Sequence, residues 1–349
     1  MSSLAPADRR PLTLLVTGGR GFLGSAIVRA LMDEGHAVRS LGRSDAPELR
    51  ALGVQTFEGD VADLAIVRRA MEGCDGVFHV AAKVGGWGPY ADFFRVNVEG
   101  TRNVIASCKE LEVRHLVFTS TPSVVHAGDD LDGVDESVPY ALHFEAHYPA
   151  TKALAEQAVV RANGGGLSTV ALRPHLVWGP GDNHMLPRVV ARARAGRLRL
   201  LSGPPKRVDT LYIDNAVDAH LAAFRELRHT GRCAGKTYFI AQGDPIESGT
   251  LINTMLDAVG VPPVKRRIPP RVAYAAGWLA EKVYRALRRE DEPPITRFAA
   301  TQLATSHYFD ISAAKRDFGY EPRVSFEEGL ERLRAAYRDG THFGRHARR

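Results

Sequence analysis

Apolar runs and helical stripes alternate through the first half of the chain. Leu12–Thr17 is a largely apolar run, as expected for a strand that is buried on both faces of a parallel sheet. Apolar residues recur at helical spacing in Ser25–Glu34, and His36–Leu41 again has the pattern of a strand. Further strands are predicted at Gln55–Glu58, Gly76–Val80, His115–Ser120 and Thr169–Leu172. This alternation predicts an α/β protein with a doubly wound parallel sheet.

The pattern becomes irregular after about residue 175, where proline and glycine are frequent, and this part predicts a smaller C-terminal lobe. Asn215–Leu227 and Lys236–Ala241 have the patterns of a helix and a strand that return to the sheet. The predicted organisation is a disordered leader at 1–10, a sheet domain at 11–174 and about 207–242, a second lobe at about 175–206 and 243–335, and a basic tail at 336–349.

Composition and charge narrow the classes of function. The 349 residues are 44% hydrophobic and 25% charged, which is ordinary for a soluble globular protein. The formal net charge of +6 is scattered and partly terminal, as in His342–Arg349, so nucleic-acid binding is not predicted. The basicity favours anionic ligands such as phosphorylated cofactors and carboxylates.

The cysteines and the apolar runs bear on metals and on location. Cys74, Cys108 and Cys233 lack the spacing of metal ligands, so no metal site is expected. A sparse, odd set of cysteines indicates reduced thiols and a cytoplasmic protein. The N-terminal residues lack the pattern of a secretory signal, and no run reaches the roughly 20 apolar residues of a spanning helix.

A glycine-rich turn, T-G-G-R-G-F-L-G at Thr17–Gly24, follows the first predicted strand and opens the first predicted helix. The dinucleotide-binding fingerprint requires this context. Gly18 would permit the tight turn, Gly21 would let the backbone approach a pyrophosphate, and Gly24 would allow close packing of helix on strand. Free N–H groups at the helix N-terminus would bind the anion. The sequence therefore predicts a Rossmann-type sheet that binds a dinucleotide.

The end of the second predicted strand indicates which dinucleotide binds. NAD-preferring proteins usually carry an acidic residue there, whereas this chain has Gly42 followed by Arg43. An arginine would pair with the 2′-phosphate of NADP(H), and Arg20 would add a second contact, so we predict NADP(H). The alternative is that Arg43 is only a surface charge. Asp60 is placed to accept from the adenine amino group, although a turn or N-cap aspartate explains it nearly as well.

Tyr148 and Lys152, in H-Y-P-A-T-K, lie one helical turn apart on the same predicted face. An ammonium beside a phenol favours the phenolate and eases proton exchange at neutral pH. Hydroxyl side chains cluster at the carboxyl end of a predicted strand, at Thr119, Ser120, Thr121 and Ser123. An exposed helical pair and hydroxyls that merely satisfy backbone groups are the alternatives. Together with the glycine turn, the set predicts a nicotinamide-dependent oxidoreductase.

Several motifs together resemble those of the extended short-chain dehydrogenase/reductase superfamily. They are T-G-G-x-G-F-L-G, H-V-A-A, N-V-E-G-T, T-S-T, Y-P-A-T-K, L-R-P-H-L-V-W-G-P-G-D and V-D-T-L-Y-I-D-N, and the resemblance runs from about residue 11 to 335. The variants A-A-K-V-G-G-W-G, T-P-S-V-V and R-P-H-L-V-W-G-P-G-D are similar to its 3β-hydroxysteroid dehydrogenase-like branch. Within that branch, the chain resembles bacterial reductases of 2-alkyl-3-oxoalkanoic acids that take part in long-chain olefin biosynthesis.

The resemblance implies a role for each matching residue. Tyr148 would protonate the substrate oxygen, Lys152 would lower the Tyr148 pKa and hold the nicotinamide ribose, and Thr121 would orient the oxygen. The family usually has serine at the Thr121 position, which puts the rate in question. Ser123 is the alternative hydroxyl, and Asn97 is expected to be structural. The implied cofactor contacts are Gly18, Arg20, Gly21, Phe22, Leu23, Arg43, Asp60, Val61, Ala81 and Lys152.

The glycine-rich loop at Lys83–Pro89 and His175 are the predicted substrate-binding elements. We expect Lys83 or His175 to pair with a substrate carboxylate while Trp87 covers alkyl chains; a satisfied surface lysine and a packed tryptophan are the alternative. The resemblance implies NADPH-dependent reduction of a bulky, apolar β-keto acid. A 3β-hydroxysteroid or sterol-intermediate dehydrogenase, a nucleotide-sugar epimerase and a catalytically silent NADP-binding scaffold are the alternatives.

The segment Val272–Leu287 predicts an amphipathic helix. Its apolar side consists of Val272, Ala276, Leu279, Val283 and Leu287. Core packing is the usual role of such a side, and an alkyl-chain tunnel, a partner subunit or a membrane surface are alternatives. Arg285, Arg288 and Arg289 beside it suit an anionic surface. The resemblance also implies a homodimer and contacts with other enzymes of the olefin pathway.

Overall fold

The computed structural model describes residues 10–340, in which strands and helices alternate as the sequence predicts. Apart from Arg10, the predicted leader lies outside the described residues, as do residues 341–349 of the predicted tail. The last helix ends at Arg338, so it enters the range assigned to that tail. The division into two domains stays a prediction.

The strands are β1 (Thr13–Thr17), β2 (Ala37–Gly42), β3 (Gln55–Glu58), β4 (Gly76–His79), β5 (His115–Thr119), β6 (Leu131–Val134), β7 (Ser168–Pro174), β8 (Val177–Trp178), β9 (Leu200–Leu201), β10 (Arg207–Val208), β11 (Leu211–Tyr212), β12 (Lys236–Ile240), β13 (Ile246–Glu247), β14 (Arg267–Ile268) and β15 (His307–Phe309). The α-helices are α1 (Phe22–Asp33), α2 (Pro47–Arg50), α3 (Leu64–Met71), α4 (Tyr90–Phe93), α5 (Gly100–Glu110), α6 (His147–Arg161), α7 (Met185–Arg194), α8 (Ile213–His229), α9 (Ser248–Ala258), α10 (Pro270–Ala286), α11 (Arg297–Ala304), α12 (Ser312–Phe318) and α13 (Phe326–Arg338). A π-helical segment, Phe94–Glu99, joins α4 to α5, and a 3-10 turn, Pro122–Val124, follows β5.

Seven strands form one parallel sheet in the order β12-β7-β5-β4-β1-β2-β3. β1 lies in the interior of the sheet, with β2 on one side and β4 on the other, so the order of the strands reverses there. A crevice opens outside the carboxyl ends of the strands at such a reversal, and ligands bind in it. The predicted doubly wound sheet is confirmed.

The two faces of the sheet are covered by different helices. Leu14 and Val16 belong to a buried cluster that includes α1 and α8, whereas Leu15 belongs to a second cluster with α3, α5 and α6. Successive side chains of a strand point to opposite faces, so the continuous apolar run of β1 buries residues on both sides. α8 packs against α1, and β12 is an edge strand, which brings both of these later segments to the sheet.

A second, four-stranded sheet in the order β13-β10-β15-β6 combines three strands of the C-terminal half with β6, which comes from the N-terminal half. Its strands have two to four residues, which is too short for an alternating pattern to stand out in the sequence. The sequence analysis therefore missed it.

The apolar side of α10 is exposed to solvent. Val272, Leu279, Val283 and Leu287 are 53%, 57%, 45% and 65% exposed, respectively. The buried positions of the helix are Ala273, Gly277 and Glu281, on another side. Core packing is thus excluded for the apolar side. No helix within residues 10–340 is both long enough and apolar enough to cross a bilayer.

Candidate active site

The glycine turn brings β1, α1 and the end of β4 into close contact. Gly18 has a φ of +72°, and a Cβ there would lie 2.9 Å from the backbone of Ala81. A Cβ on Gly24 would overlap the Gly18 carbonyl, so a larger residue would push α1 away from β1. Phe22 and Leu23 open α1, and its N-cap, Gly21, makes no side-chain capping bond. The first backbone N–H groups of α1 thus have no side-chain cap from Gly21, and an uncapped helix N-terminus beside a glycine turn fits a dinucleotide pyrophosphate.

The end of β2 fits the adenosine part of a dinucleotide. A Cβ on Gly42 would meet no atom within 4 Å, so the space beside it is open. Arg43 next to it is exposed. Arg20, in contrast, has internal partners, because it donates to the Ser44 hydroxyl and its Nε lies 3.4 Å from a Glu48 carboxylate oxygen.

Asp60 and Val61 follow β3 at the same edge of the sheet. Asp60 accepts from the Ala62 N–H at 2.9 Å and from Arg95 at 2.8 Å. Burial acts to raise the pKa of Asp60, but these two donors hold it below its usual value. This geometry is that of a turn aspartate, which was one of the two interpretations of Asp60 in the sequence analysis; adenine binding was the other. Val61 is buried, and a Cβ on Gly100 would overlap it.

A chain of hydrogen bonds lies beneath the glycine turn. The Ala81 N–H donates to the Thr17 hydroxyl at 3.2 Å, and this hydroxyl bonds His79 Nδ1 at 2.7 Å. His79 Nε2 bonds the Thr101 hydroxyl at 3.0 Å, and Thr101 donates to the Asn97 carbonyl at 2.6 Å. Burial, with the charge of Lys152, lowers the pKa of His79 to about 3. Its imidazole is therefore neutral, with the proton on Nε2.

Asn97 joins the loop at 83–89 to the first turn of α6. Its carbonyl oxygen accepts from the Lys83 N–H at 2.7 Å, and its amide donates to the Lys83 carbonyl at 3.0 Å. The same amide donates to the Thr151 hydroxyl at 3.0 Å, and Thr151 donates to the His147 carbonyl at 2.8 Å in the first turn of α6. The side chain lies in the π-helical segment, at a position that the motif analysis expected to be structural.

Tyr148, Thr121 and Lys152 meet at the carboxyl end of β5. The Thr121 hydroxyl donates to the Ser123 hydroxyl and accepts from the Ser123 N–H, both at 3.3 Å, and it lies close enough to the Tyr148 phenol to influence its pKa. Lys152 Nζ donates to the Thr119 carbonyl at 2.6 Å and lies 4.0 Å from the centroid of the Phe118 ring. The three side chains that the sequence singled out therefore lie together at this end of the sheet.

Burial shifts the two titratable groups of this set in opposite directions. It raises the pKa of Tyr148 to about 12, although the Thr121 hydrogen bond acts to lower it. It lowers the pKa of Lys152 to about 7, although the charge of Glu156 acts to raise it. The sequence analysis expected Lys152 to lower the pKa of Tyr148; in the structure, burial of the phenol outweighs any such effect. The phenol is thus protonated at neutral pH, which is the form that donates a proton.

The predicted substrate residues have partners within the protein. Lys83 Nζ lies 3.0 Å from an Asp92 carboxylate oxygen, so its charge is already paired. His175 bonds His307 at 2.8 Å, and burial together with nearby histidine charges holds its pKa well below the usual value. It carries no positive charge for a substrate carboxylate at neutral pH.

Trp87 packs the loop at 83–89 against the C-terminal end of α10. Its Nε1 donates to the Arg289 carbonyl at 3.2 Å, and its ring meets Tyr284 edge to face at 6.3 Å. The guanidinium of Arg285 lies 5.6 Å from the centroid of the same ring. The sequence had assigned Arg285 only to an anionic surface, because nothing in the linear pattern brings residue 285 next to residue 87.

Comparison with known proteins gives the same picture as the geometry. Residues 15–269 match the model of the 3-beta hydroxysteroid dehydrogenase/isomerase family. The chain is 50% identical to a 2-alkyl-3-oxoalkanoate reductase from Stenotrophomonas maltophilia over 93% of its own length and 99% of that protein. It is also 50% identical to a 2-alkyl-3-oxoalkanoate reductase from Shewanella oneidensis, over 92% of its length and 85% of the relative.

The fold is shared with solved structures. UDP-glucose 4-epimerase from Thermus thermophilus, in complex with NAD, superposes with a TM-score of 0.70, and the alignment covers 94% of this chain and 99% of the epimerase. The two are 24% identical, so this likeness concerns the fold alone. The family match and the relatives show that this protein is a nicotinamide-dependent oxidoreductase acting on hydroxyl and keto groups, which agrees with the glycine turn. The chain belongs to the 3-beta hydroxysteroid dehydrogenase/isomerase family of extended short-chain dehydrogenase/reductases.

Proposed function

We propose that this protein reduces 2-alkyl-3-oxoalkanoic acids to 2-alkyl-3-hydroxyalkanoic acids with NADPH, in long-chain olefin biosynthesis. The observation that carries the proposal is the 50% identity to a reductase of this name over 99% of that relative. The Tyr148 phenol beside the Thr121 hydroxyl supports it, because a protonated phenol beside a hydroxyl is what ketone reduction requires.

In this proposal, the roles of the residues follow from their contacts. The bound nicotinamide supplies hydride to the carbonyl carbon. Tyr148 donates its proton to the carbonyl oxygen, and Thr121 donates a hydrogen bond that holds this oxygen near the phenol. Lys152, when protonated, stabilises the phenolate that remains. The phenolate then regains a proton from solvent, and the net reaction adds one hydride and one proton to the ketone.

The reverse reaction tests the proposal, because β-keto acids decarboxylate spontaneously whereas hydroxy acids are stable. Purified protein is incubated with a racemic 2-alkyl-3-hydroxyalkanoic acid and NADP⁺ or NAD⁺, and the reduced nicotinamide is followed by its absorbance. We expect turnover, with NADP⁺ preferred. Activity on 3β-hydroxysterols but none on the hydroxy acid would contradict the proposal and favour a sterol dehydrogenase.

NADP(H) preference is proposed from the end of β2. The open space beside Gly42 accommodates a 2′-phosphate, and Arg43 is exposed next to it. A charge-assisted pair of this kind is worth about 1.5–3 kcal/mol, or roughly a 10- to 100-fold difference in affinity. Arg20 is left as a weaker candidate, because Glu48 lies beside it.

The variant Gly42→Asp, Arg43→Ala tests this preference. We expect NADPH binding, measured by fluorescence titration, to weaken by at least about tenfold while NADH binding holds or improves. The aspartate has room for its side chain, so misfolding is not expected. A double variant that still preferred NADPH would contradict the assignment.

We also propose peripheral contact of α10 with an anionic membrane surface. The exposed apolar side of the helix is accompanied by exposed cations, Arg271, Lys282 and Arg288. An apolar stripe with adjoining cations binds anionic lipid interfaces. Homodimerisation and association with other enzymes of olefin biosynthesis stay predictions of the family resemblance.

A further inference from the structure

Arg285 has no carboxylate partner among residues 10–340, which is also true of Lys282 on the same helix, but Arg285 alone of these two contacts the loop at 83–89. Its guanidinium carbon lies 5.6 Å from the centroid of the Trp87 ring. Four other cations in this region are paired with carboxylates: Lys83 with Asp92 at 3.0 Å, Arg188 with Glu292 at 2.7 Å, Arg289 with Asp291 at 2.6 Å and Arg297 with Glu281 at 2.9 Å.

Arg285 also lies close to the catalytic helix. Its charge, after burial, is the second cause that holds the pKa of His147 below its usual value, and His147 immediately precedes Tyr148. His147 packs against Tyr90, with the ring centroids 5.4 Å apart, at the end of the substrate loop. The guanidinium therefore stands over the face of the protein where the first turn of α6 and the loop at 83–89 meet.

We infer that Arg285 binds the carboxylate of the substrate and so determines the preference for keto acids over neutral ketones. The inference rests on the proposed function. A guanidinium forms two parallel hydrogen bonds to a carboxylate, and a cation without an internal counter-ion needs no rearrangement to accept one. The aromatic ring of Trp87 holds the guanidinium in place by a cation–π contact. Lys83 and His175, which the sequence singled out for this task, are respectively paired and uncharged.

A comparison of the acid with its methyl ester tests the inference. The substrates are a 2-alkyl-3-hydroxyalkanoic acid and its methyl ester, each with NADP⁺, and the variants are Arg285→Met, Arg285→Lys and Lys282→Met. For Arg285→Met we expect kcat/KM for the acid to fall roughly 10- to 100-fold through KM, and the ester to be unaffected. Arg285→Lys retains a charge but loses the fork, so it falls in between.

Lys282→Met is the matched control. Lys282 lies on the same helix, and its ammonium lies 5.6 Å from the Trp278 ring, so the variant removes an equivalent exposed cation–π pair. It should leave both substrates unchanged. An equal loss for acid and ester in Arg285→Met would indicate that the arginine only supports Trp87, and an unchanged acid would equally overturn the inference.

Failure of the proposed function gives a different result. If the unmodified protein oxidises neither acid nor ester, the proposed function is contradicted, and calorimetric binding of the acid to the NADP⁺ complex still decides the role of Arg285. Weaker binding by Arg285→Met than by Lys282→Met supports a carboxylate site. Equal binding by the two variants overturns it.

Discussion

Burial sets the protonation states of Tyr148 and Lys152 in opposite ways: it keeps the phenol protonated, and it works against the positive charge of the lysine. The phenol has a pKa raised to about 12 and stays protonated, whereas the lysine has a pKa lowered to about 7 and changes charge in the neutral range. Reduction needs a proton donor, so the raised pKa of Tyr148 agrees with the reductive direction. Desolvation is the largest cause of both pKa shifts, because both side chains are buried in the same region at the carboxyl end of β5.

Tyr148→Phe removes the proton donor and leaves the ring. We expect kcat to fall by roughly 10²- to 10⁴-fold, since general acid catalysis contributes that much. The dissociation constant for NADPH, measured by fluorescence, should change little. Tyr90→Phe is the control, because Tyr90 is 45% exposed and only packs against His147 and Phe94. Equal activity of the Tyr148 variant and the unmodified protein would remove Tyr148 from the mechanism.

Lys152 makes stability depend on pH. The pKa is about 7 in the folded protein and 10.5 in a model peptide, so between these values the unfolded state binds the extra proton. The free energy of unfolding therefore rises with pH in this window, by up to about 1.4 kcal/mol per pH unit. Below about pH 7 both states hold the proton, and this contribution is flat.

Lys152→Met should abolish that slope and raise stability at pH 7, since a buried charge is replaced by a side chain of similar size. Urea unfolding at pH 7, 8 and 9 measures both effects. Turnover should be lost in the same variant. A slope that persists in Lys152→Met would mean that another group titrates.

At the scale of the elements, α10 and α11 are held together by close backbone packing and an ion pair. α10 and α11 approach closely at Gly277, where a Cβ would lie 2.8 Å from the backbone of Thr296 and Arg297. These are backbone atoms, so they cannot move aside as a flexible side chain does. The ion pair between the buried Glu281 and the partly exposed Arg297, at 2.9 Å, and the bond from the Arg297 N–H to Glu281 at 2.7 Å hold the same junction.

Gly277→Val should therefore push α11 away and lower the free energy of unfolding by about 2 kcal/mol or more. Ala275→Val is the control, because Ala275 lies on the same helix and is exposed. It should cost at most about 0.7 kcal/mol, the difference in helix propensity. Chemical denaturation of the two variants side by side measures the contrast, and equal costs would contradict the close packing.

The exposed side of α10 gives a second prediction at this scale. The full-length protein should sediment with vesicles that contain anionic phospholipid, less so at high salt, and not with purely zwitterionic vesicles. Leu279→Asp with Val283→Asp should reduce this binding at least about tenfold while turnover of a water-soluble substrate is unchanged.

Leu142→Asp is the matched control for the vesicle experiment, because Leu142 is 90% exposed but lies outside α10. It should bind vesicles like the unmodified protein. Absence of binding by the unmodified protein would contradict a membrane role for this helix.

The whole molecule buries its three cysteines. Cys74, Cys108 and Cys233 are free and lie in the core, and burial raises the pKa of their thiols to about 11, 12 and 12. A thiol that is both shielded and protonated reacts slowly, because the thiolate is the nucleophile. An aromatic disulfide reagent at pH 8 should label none of them within minutes in the native protein and all three in denaturant. Fast labelling of the native protein would mean that one of the helical layers opens readily.

The sequence alone determined the sheet and its glycine turn, and it singled out the candidate catalytic residues that the fold brings together. Gln55–Glu58 was predicted with the bounds that β3 has, and β1, β2, β4, β5 and β12 were predicted to within one residue at each end. These elements are local: a buried strand is a run of apolar residues, and a turn that approaches a phosphate needs glycine. Tyr148 and Lys152 were likewise found from their spacing on one helix.

Only the tertiary structure decided which charged side chains remain available to pair with a substrate carboxylate. Lys83 and His175 appeared suitable as carboxylate partners along the chain, but Asp92 pairs with the first and burial beside His307 neutralises the second. The same folding leaves Arg285 over Trp87, about 200 residues away in the sequence. The pKa of Tyr148 is also raised, whereas the sequence analysis expected Lys152 to lower it. Charge pairing and desolvation depend on every group nearby in space, and a linear pattern contains no record of that.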